Sequence, residues 1–146
     1  MAVEGGCRCG KVRFRIDAEP ISARACWCRD CQYWACGSAT INVVFPSETF
    51  AVTGATSDYV SVADSGNVMH RRFCPACGTP LFSEAEARPH LVIVRAGALD
   101  DPDAVAPQSA IWTGSAPAWA HIDPELPAYE ASPPAAIGAP RVPAKP

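Results

Sequence analysis

Residues 26–31, Cys-Trp-Cys-Arg-Asp-Cys, place three thiols within one short stretch, and a fourth thiol follows at Cys36. Two further pairs flank this stretch, in residues 7–9 (Cys-Arg-Cys) and residues 74–77 (Cys-Pro-Ala-Cys). Thiolates two or three residues apart can turn towards one soft metal ion. Such close neighbours rarely reach disulfide geometry without strain. The spacing therefore predicts that the fold is organised by metal ions.

The spacing also predicts two different kinds of site. The outer pairs make a closed four-cysteine site if the strand ends that carry them meet, and a closed site is structural because it leaves no coordination position for a substrate. The three central thiols leave one position open, as catalytic zinc sites do. The predicted ligands are Cys7, Cys9, Cys74 and Cys77 for the first ion, and Cys26, Cys28 and Cys31 for the second.

Two other arrangements of the thiols stay open at this point. Cys36 could complete a second closed four-cysteine site around residues 26–31. Alternatively, the thiolates could hold an iron–sulfur cluster, although the spacing differs from that of ferredoxins. We favour the interpretation of Cys36 as a free, buried thiol.

The composition indicates a single folded domain. The chain has 146 residues, of which 49% are apolar and 18% charged, and its net charge is −3. This balance argues against binding to nucleic acid, and no basic run or long apolar stretch predicts contact with a membrane. The amino terminus lacks the basic and apolar regions of a signal peptide, so we expect a cytoplasmic protein with reduced thiols. The sequence makes no prediction of the oligomeric state.

Strand patterns dominate the rest of the chain. In residues 11–16, apolar side chains at Val12, Phe14 and Ile16 alternate with basic ones, which predicts a half-buried antiparallel strand. Residues 32–36 predict a short helical turn that ends at Gly37, and we expect no helix of typical length. Further strands are predicted at residues 40–45, 50–53, 59–62, 67–73, 80–84, 91–95 and 110–112, with a hairpin turn at 64–66.

The predicted fold class is therefore mainly β. Residues 1–130 are expected to form one zinc-binding domain. Residues 131–146 are rich in proline and lose the strand periodicity, so they are predicted to form an extended carboxy-terminal tail.

Three motifs in this order closely resemble the glutathione-dependent formaldehyde-activating enzyme family. They are Gly-Cys-Arg-Cys-Gly-Lys-Val-Arg-Phe at 6–14, Cys-Trp-Cys-Arg-Asp-Cys-Gln at 26–32 and Phe-Cys-Pro-Ala-Cys-Gly-Thr-Pro-Leu at 73–81. The resemblance continues at residues 95–100, 111–112, 117–119 and 126–127, and it covers roughly residues 5–130.

The resemblance implies a β-tent, a fold of antiparallel sheets that carry the zinc sites. It implies two zinc ions per chain, a structural one on Cys7, Cys9, Cys74 and Cys77 and a catalytic one on Cys26, Cys28 and Cys31. The activity it implies is that of a carbon–sulfur lyase, which joins a thiol, glutathione, to an aldehyde, formaldehyde, to give S-(hydroxymethyl)glutathione.

Two residues depart from the family pattern. Trp27 stands where members often carry histidine, and we expect it to wall an apolar pocket because an indole cannot ligate a metal. Cys36 stands where small residues are common. Both departures indicate that the thiol or aldehyde substrate could differ from glutathione or formaldehyde.

Several charged residues are weaker candidates for a role at the open site. Arg29 or Arg72 could offset the negative charge of its thiolates, although surface ion pairing explains them equally well. His70 and His121 are the only histidines besides His90 and are candidate acid–base groups, but a lone histidine more often has a packing or surface role.

A second function class competes with the enzyme. The same fold could serve as a non-catalytic zinc module, either a thiol carrier or a protein-interaction domain, because fold alone does not define function. A third possibility is a redox-sensing thiol cluster that loses zinc on oxidation. The open three-cysteine site favours the enzyme, since a scaffold needs only the closed site.

Overall fold

A computed structural model describes residues 2–133. Most of the predicted tail at 131–146 lies outside the described residues. The strands are β1 Val3–Gly6, β2 Arg13–Ile16, β3 Ser22–Cys26, β4 Thr40–Pro46, β5 Phe50–Thr53, β6 Ser57–Val62, β7 Val68–Phe73, β8 Pro80–Ala85, β9 Leu91–Arg95 and β10 Ser109–Ile111. Helix α1 spans Arg29–Trp34, and single 3-10 turns occupy Ser47–Thr49, Ala96–Ala98 and Thr113–Ser115.

The strands form two sheets. The smaller has the order β1-β2-β5 and the larger the order β10-β3-β4-β9-β8-β7-β6. All strand pairs are antiparallel except β10 with β3, which is parallel. The predicted mainly β fold of antiparallel sheets is confirmed, and the β10–β3 pair is its one parallel edge within residues 2–133. β10 returns from a long loop and joins β3 in the same direction, which a hairpin connection could not do.

The core lies between the two sheets. The alternation predicted in β2 is confirmed, since Val12, Phe14 and Ile16 are all buried. Phe50 in β5 joins this core through ring contacts, with centroids 5.6 Å from Phe14 and 4.7 Å from Phe82. Burial of each such side chain contributes about 1.5–3 kcal/mol, so this two-sheet core holds the strand ends that carry the cysteines.

Two strands were not predicted, and both lack the usual strand composition. β1 reads Val-Glu-Gly-Gly, and β3 reads Ser-Ala-Arg-Ala-Cys. Glycine and alanine have low strand propensity, so cross-strand pairing overrides the local preference here. Gly5 is needed for close packing, because a Cβ atom there would lie 2.2 Å from the Ala98 carbonyl oxygen.

The remaining predictions hold closely. The predicted hairpin joins β6 to β7, and residues 50–53 and 91–95 form strands with the predicted bounds. Helix α1 begins at Arg29 rather than at residue 32, because the Cys28 sulfur caps its first turn. No helix within residues 2–133 is long and apolar enough to cross a lipid bilayer.

Candidate metal centres

The first cysteine cluster lies where the two sheets approach each other. Cys7 and Cys9 occupy the turn between β1 and β2, and Cys74 and Cys77 occupy the turn between β7 and β8. All four Sγ atoms lie within 4.8 Å of one another, so the grouping predicted from the spacing is present in the structure. Cys7 and Cys74 are buried, whereas Cys9 and Cys77 are exposed.

The geometry of this four-cysteine cluster fits a tetrahedral ion. The Sγ atoms of Cys7 and Cys9 are 3.5 Å apart, and those of Cys9 and Cys74 are 3.7 Å apart. A zinc–sulfur bond of about 2.3 Å gives a tetrahedral sulfur–sulfur edge of about 3.8 Å. The Val12 amide also donates a hydrogen bond to Cys7 Sγ over 3.3 Å, as a thiolate acceptor requires.

Thr79 makes one sulfur of this cluster easy to ionise. Its hydroxyl oxygen lies 3.1 Å from Cys77 Sγ, and this hydrogen bond is the main reason that the pKa of Cys77 is lowered to about 5. A thiol with so low a pKa is a thiolate at neutral pH, which is the form that binds metal. The four residues can therefore hold a metal ion.

The second cluster lies at the junction of β3 and α1. Cys26 ends β3, Cys28 caps α1, and Cys31 lies in its first turn, where its amide donates to Cys28 Sγ over 3.3 Å. The three Sγ atoms lie within 4.8 Å of one another. The residues are buried, with exposures of 5%, 6% and 8%, so an ion held here would be shielded from bulk water.

The three thiols of this cluster strongly affect one another. Hydrogen bonds from Cys26 and then Cys28 lower the pKa of Cys31 to about 2. A hydrogen bond with Cys26 lowers the pKa of Cys28, but a hydrogen bond with Cys31, burial and the charge of Cys31 together outweigh it and raise this pKa to about 12. Hydrogen bonds with Cys28 and Cys31 raise the pKa of Cys26 further still. One thiolate forms readily, and a cation is needed to displace the other two protons.

Two side chains near the three-cysteine cluster, one in β4 and one in β9, would stabilise thiolates there. The Thr40 hydroxyl is buried beside Cys31 and has no hydrogen-bond partner within residues 2–133, so a thiolate there would accept its hydrogen bond. Arg95 hydrogen-bonds to Asn42 and, over 3.1 Å, to Ser83. Burial lowers the pKa of Arg95, whereas the nearby Cys31 raises it. Its positive charge therefore offsets the thiolates.

The sequence analysis considered Arg29 or Arg72 for that charge-balancing role, but in the structure both arginines interact with other side chains. Arg29 donates to Gln32 over 2.5 Å and lies over the Tyr33 ring. Arg72 lies within 4.0 Å of the carboxylates of Asp58 and Glu84. Arg95 was missed because only the pairing of β4 with β9 brings it near the cysteines.

Gln32 is a further residue that the sequence analysis missed. Its side chain is buried and donates hydrogen bonds to the carbonyl oxygens of Trp27 over 2.7 Å and of Ser115 over 2.9 Å. It thus ties α1 both to the cysteine loop and to the segment after β10. The only sequence signal was a glutamine one residue after the last cysteine of the motif.

Apolar side chains close over the three-cysteine cluster. Ile111 is buried against the three cysteines, and Trp112 and Tyr129 pack against the same group. Trp112 has a φ of 56°, which is uncommon for a bulky residue and is held by the bonded segment around it. Trp27 is also buried, as expected of an apolar wall, and its amide donates to the Ile111 carbonyl oxygen.

The remaining candidates lie outside both clusters. Cys36 is exposed, so the prediction of a buried thiol is wrong; it follows the end of α1 and has a left-handed backbone with a φ of 55°. It is not grouped with Cys26–Cys31, so the second closed site is not formed within the described residues. His70 lies between two carboxylates on the larger sheet, and His90 and His121 are exposed.

Together, the fold and the sites define a mainly β protein of two sheets with one four-thiol and one three-thiol group, each suited to a metal ion. A model of the family described as glutathione-dependent formaldehyde-activating enzyme matches residues 2–115. The chain belongs to this family, because the match covers most of its length.

Individual relatives agree with this assignment. A Halomonas elongata protein provisionally named as a glutathione-dependent formaldehyde-activating enzyme is 35% identical over 105 residues, which cover 68% of this chain and 67% of the relative. A Talaromyces marneffei protein with the same provisional name is 29% identical over 76 residues, covering 52% of this chain and 40% of the relative. A crystal structure of a Rhodobacter sphaeroides protein shares the fold, with a TM-score of 0.55 at 20% identity, covering 86% of this chain and 98% of that one.

Proposed function

We propose that the protein is a zinc-dependent, carbon–sulfur lyase-like enzyme. It would bind a thiol such as glutathione and form or cleave the adduct of that thiol with formaldehyde or a related aldehyde. The observation that carries this proposal is the buried group of Cys26, Cys28 and Cys31. Three protein ligands leave one tetrahedral position for a substrate sulfur, and membership of the family supports glutathione as the source of that sulfur.

The proposal assigns two zinc ions to each chain. All-thiolate donors in tetrahedral groups favour zinc among the common divalent metals. The structural ion would be held by Cys7, Cys9, Cys74 and Cys77, and the catalytic ion by Cys26, Cys28 and Cys31. We also place the protein in the cytoplasm, where reducing conditions keep these thiols free for metal; cell fractionation tests that placement.

The chemistry follows from what each group supplies. Zinc bound at the open site would stabilise the substrate sulfur as a thiolate at neutral pH. Ile111 and Trp112 would keep water from that sulfur. Attack of the sulfur on the aldehyde carbon would form the carbon–sulfur bond and open the carbon–oxygen π bond, and the oxygen would take up the proton that the substrate thiol had released. Cleavage of the adduct is the reverse of this step, and holding the reactants together supplies much of the rate.

The first test is the zinc content of the wild type and of Cys28→Ser, with glutathione titrated into each by calorimetry. We expect two zinc ions in the wild type, one in Cys28→Ser, and loss of glutathione binding together with the second ion. Cys36→Ser is the matched control, because this exposed thiol lies outside both clusters. It should keep both ions and the wild-type affinity.

A single zinc ion in the wild type, or glutathione binding that is indifferent to Cys28→Ser, would refute the open-site proposal. The competing non-catalytic module is distinguished by adding formaldehyde. An enzyme accelerates adduct formation in proportion to its concentration, whereas a thiol carrier binds glutathione without changing the rate.

A further inference from the structure

Residues 127–131, Pro-Ala-Tyr-Glu-Ala, form a carboxy-terminal strap that runs parallel to β10. Within residues 2–133, five backbone hydrogen bonds of 2.9–3.3 Å join the strap to residues 110–114. A Cβ atom at Gly114 would lie 3.0 Å from the Glu130 carbonyl oxygen, so the glycine permits this close approach. The strap thus covers β10, which is an edge strand of the larger sheet.

Tyr129 is the residue of the strap that reaches the three-cysteine cluster. Its side chain packs, together with that of Trp112, against the group formed by Ile111 and the three cysteines. Its amide donates to the Ala110 carbonyl oxygen over 2.9 Å, and its carbonyl oxygen accepts from the Thr113 amide over 3.1 Å. Tyr129 is half-buried, whereas the other four residues of the strap are exposed. The strap therefore holds one side chain against the cluster.

The burial of the cysteines limits how a thiol can enter. Their exposed fractions are only 5%, 6% and 8%. A sulfur that fills the open coordination position must nevertheless come within about 2.3 Å of the ion. A thiol as large as glutathione can therefore reach that position only if a covering side chain moves, whereas a smaller thiol needs a smaller opening.

Among the side chains packed on the cysteines, that of Tyr129 is the easiest to displace. Ile111 lies in β10, which pairs with β3 on the side away from the strap. The strap has backbone hydrogen bonds on one side only within residues 2–133. Each such bond contributes only about 0.5–1.5 kcal/mol net, because water replaces it when the strap opens. Exposed edge segments of this kind open locally at low free-energy cost, so the strap can detach while β10 stays in place.

We propose that the strap is a gate over the three-cysteine cluster and that Tyr129 sets the size of the thiol that can enter. Small thiols pass the closed strap, whereas larger thiols bind only after the strap detaches. This inference rests on the proposed function, because a thiol must bind at the cluster. Tyr129 lies beyond residues 2–115, which the family model matches, so the family assignment does not supply this selection.

The test compares the association rates of glutathione and of 2-mercaptoethanol with the zinc-loaded protein, measured by stopped-flow tryptophan fluorescence. Tyr129→Ala should raise the glutathione rate constant at least about tenfold, because association no longer waits for opening, and should change that of 2-mercaptoethanol by less than about twofold. Tyr129→Phe should keep both wild-type rates, since the ring rather than the hydroxyl covers the cluster. Tyr59→Ala is the matched control, because it removes a tyrosine from β6 at the opposite edge of the larger sheet.

Hydrogen exchange provides a second measurement on the unmodified chain. The Tyr129 amide is bonded to Ala110 only while the strap is closed. Bound glutathione keeps the strap open, so it should speed exchange of this amide at least about fivefold, whereas 2-mercaptoethanol should not. The amide of Val43, a fully buried residue of β4, is the internal reference and should respond to neither thiol.

Zinc content is measured for every variant, so that a change in access is separated from loss of the ion. An unchanged glutathione rate in Tyr129→Ala, an equal rise for both thiols, or a Tyr129 amide that does not respond to glutathione overturns the gate. Failure of the zinc-loaded wild type to bind either thiol instead overturns the proposed function, and the gate with it.

Discussion

At the scale of single residues, Arg95 is a positive charge close to the three-cysteine cluster. In the proposed function, three thiolates around a divalent ion would leave a net charge of −1, and a substrate thiolate would double it. Arg95 is the cation whose charge favours the Cys31 thiolate, and Asn42 and Ser83 hold its guanidinium in place. Removing a group that orients or balances metal ligands typically costs about 10- to 100-fold in metal affinity.

We therefore expect Arg95→Met to weaken zinc binding at the open site by about 10- to 100-fold. Methionine keeps an apolar stem of similar length but removes the charge that favours thiolate over thiol. The measurement is competition with a chromophoric chelator on protein whose four-cysteine site is already filled. Arg95→Lys should retain most of the affinity. Arg72→Met is the matched control, since Arg72 pairs with Asp58 and Glu84; equal losses in both variants would contradict the role of Arg95.

At the scale of elements, helix α1 depends on its surroundings. Six residues are too few for a helix to be stable alone. The Cys28 sulfur caps it, Gln32 ties it to neighbouring backbone, and Arg71 connects it to β7 through Asp30 over 3.4 Å and through the Trp34 ring. The cysteine loop is therefore held by its own sulfur cap, by the Gln32 hydrogen bonds to the Trp27 and Ser115 backbone, and by the Arg71 side chain of β7, which preorganises the sulfur atoms.

The hairpin β6–β7 carries a pH-dependent interaction. His70 Nδ1 lies 2.6 Å from Asp58 Oδ2, and Nε2 lies 2.9 Å from Glu86 Oε1. The hydrogen bond with Asp58, and then that with Glu86, raises the pKa of His70 above its usual 6.5. A raised folded-state pKa stabilises the fold fully below about pH 6.5, and this stabilisation is lost as the pH rises through the folded-state value.

His70→Gln should therefore reduce the free energy of unfolding at pH 5.5 and have a smaller effect at pH 9. Glutamine keeps a hydrogen-bonding side chain but cannot take up the proton. The measurement is urea unfolding of both proteins at each pH, and comparing them at a common pH cancels the pH dependence of metal binding. His121→Gln, at an exposed site, should show no such difference. A deficit of equal size at both pH values would argue against the protonated histidine.

At the scale of the whole molecule, the four-cysteine cluster connects the two sheets. Cys7 and Cys9 lie at one end of the smaller sheet, while Cys74 and Cys77 lie at the β7–β8 turn of the larger sheet. An ion at this point crosslinks segments about 65 residues apart in the chain. Because the ligands are brought together only in the folded state, metal affinity adds directly to stability.

Cys74→Ser should accordingly remove one zinc ion and lower the free energy of unfolding by more than about 4 kcal/mol, a loss typical of a lost structural metal. Cys74 is fully buried, so the serine hydroxyl of the variant would also be shielded from water, which adds to the destabilisation. The measurements are metal content and urea unfolding in excess zinc. Cys36→Ser should match the wild type in both. Unchanged stability in Cys74→Ser would mean that the two-sheet core holds the molecule without this ion.

The sequence alone determined the fold class, the family and the grouping of seven cysteines, because thiol spacing and period-two alternation are local signals. β2 is the clearest case, since its three alternating apolar side chains were all found in the core. Cys36 shows the limit, because a spacing of five residues from Cys31 did not reveal that this thiol has a left-handed backbone and is exposed to solvent.

Only the tertiary structure decided the surroundings of the cysteines. The short strand β3, its parallel partner β10, and the positions of Arg95 and Gln32 depend on which distant strands pair and in which register. Side chains far apart in the chain become neighbours only when the sheet forms, so no local pattern records them. The sequence therefore identified which cysteines group together, while the pairing of the strands determined the charges and contacts that act on them.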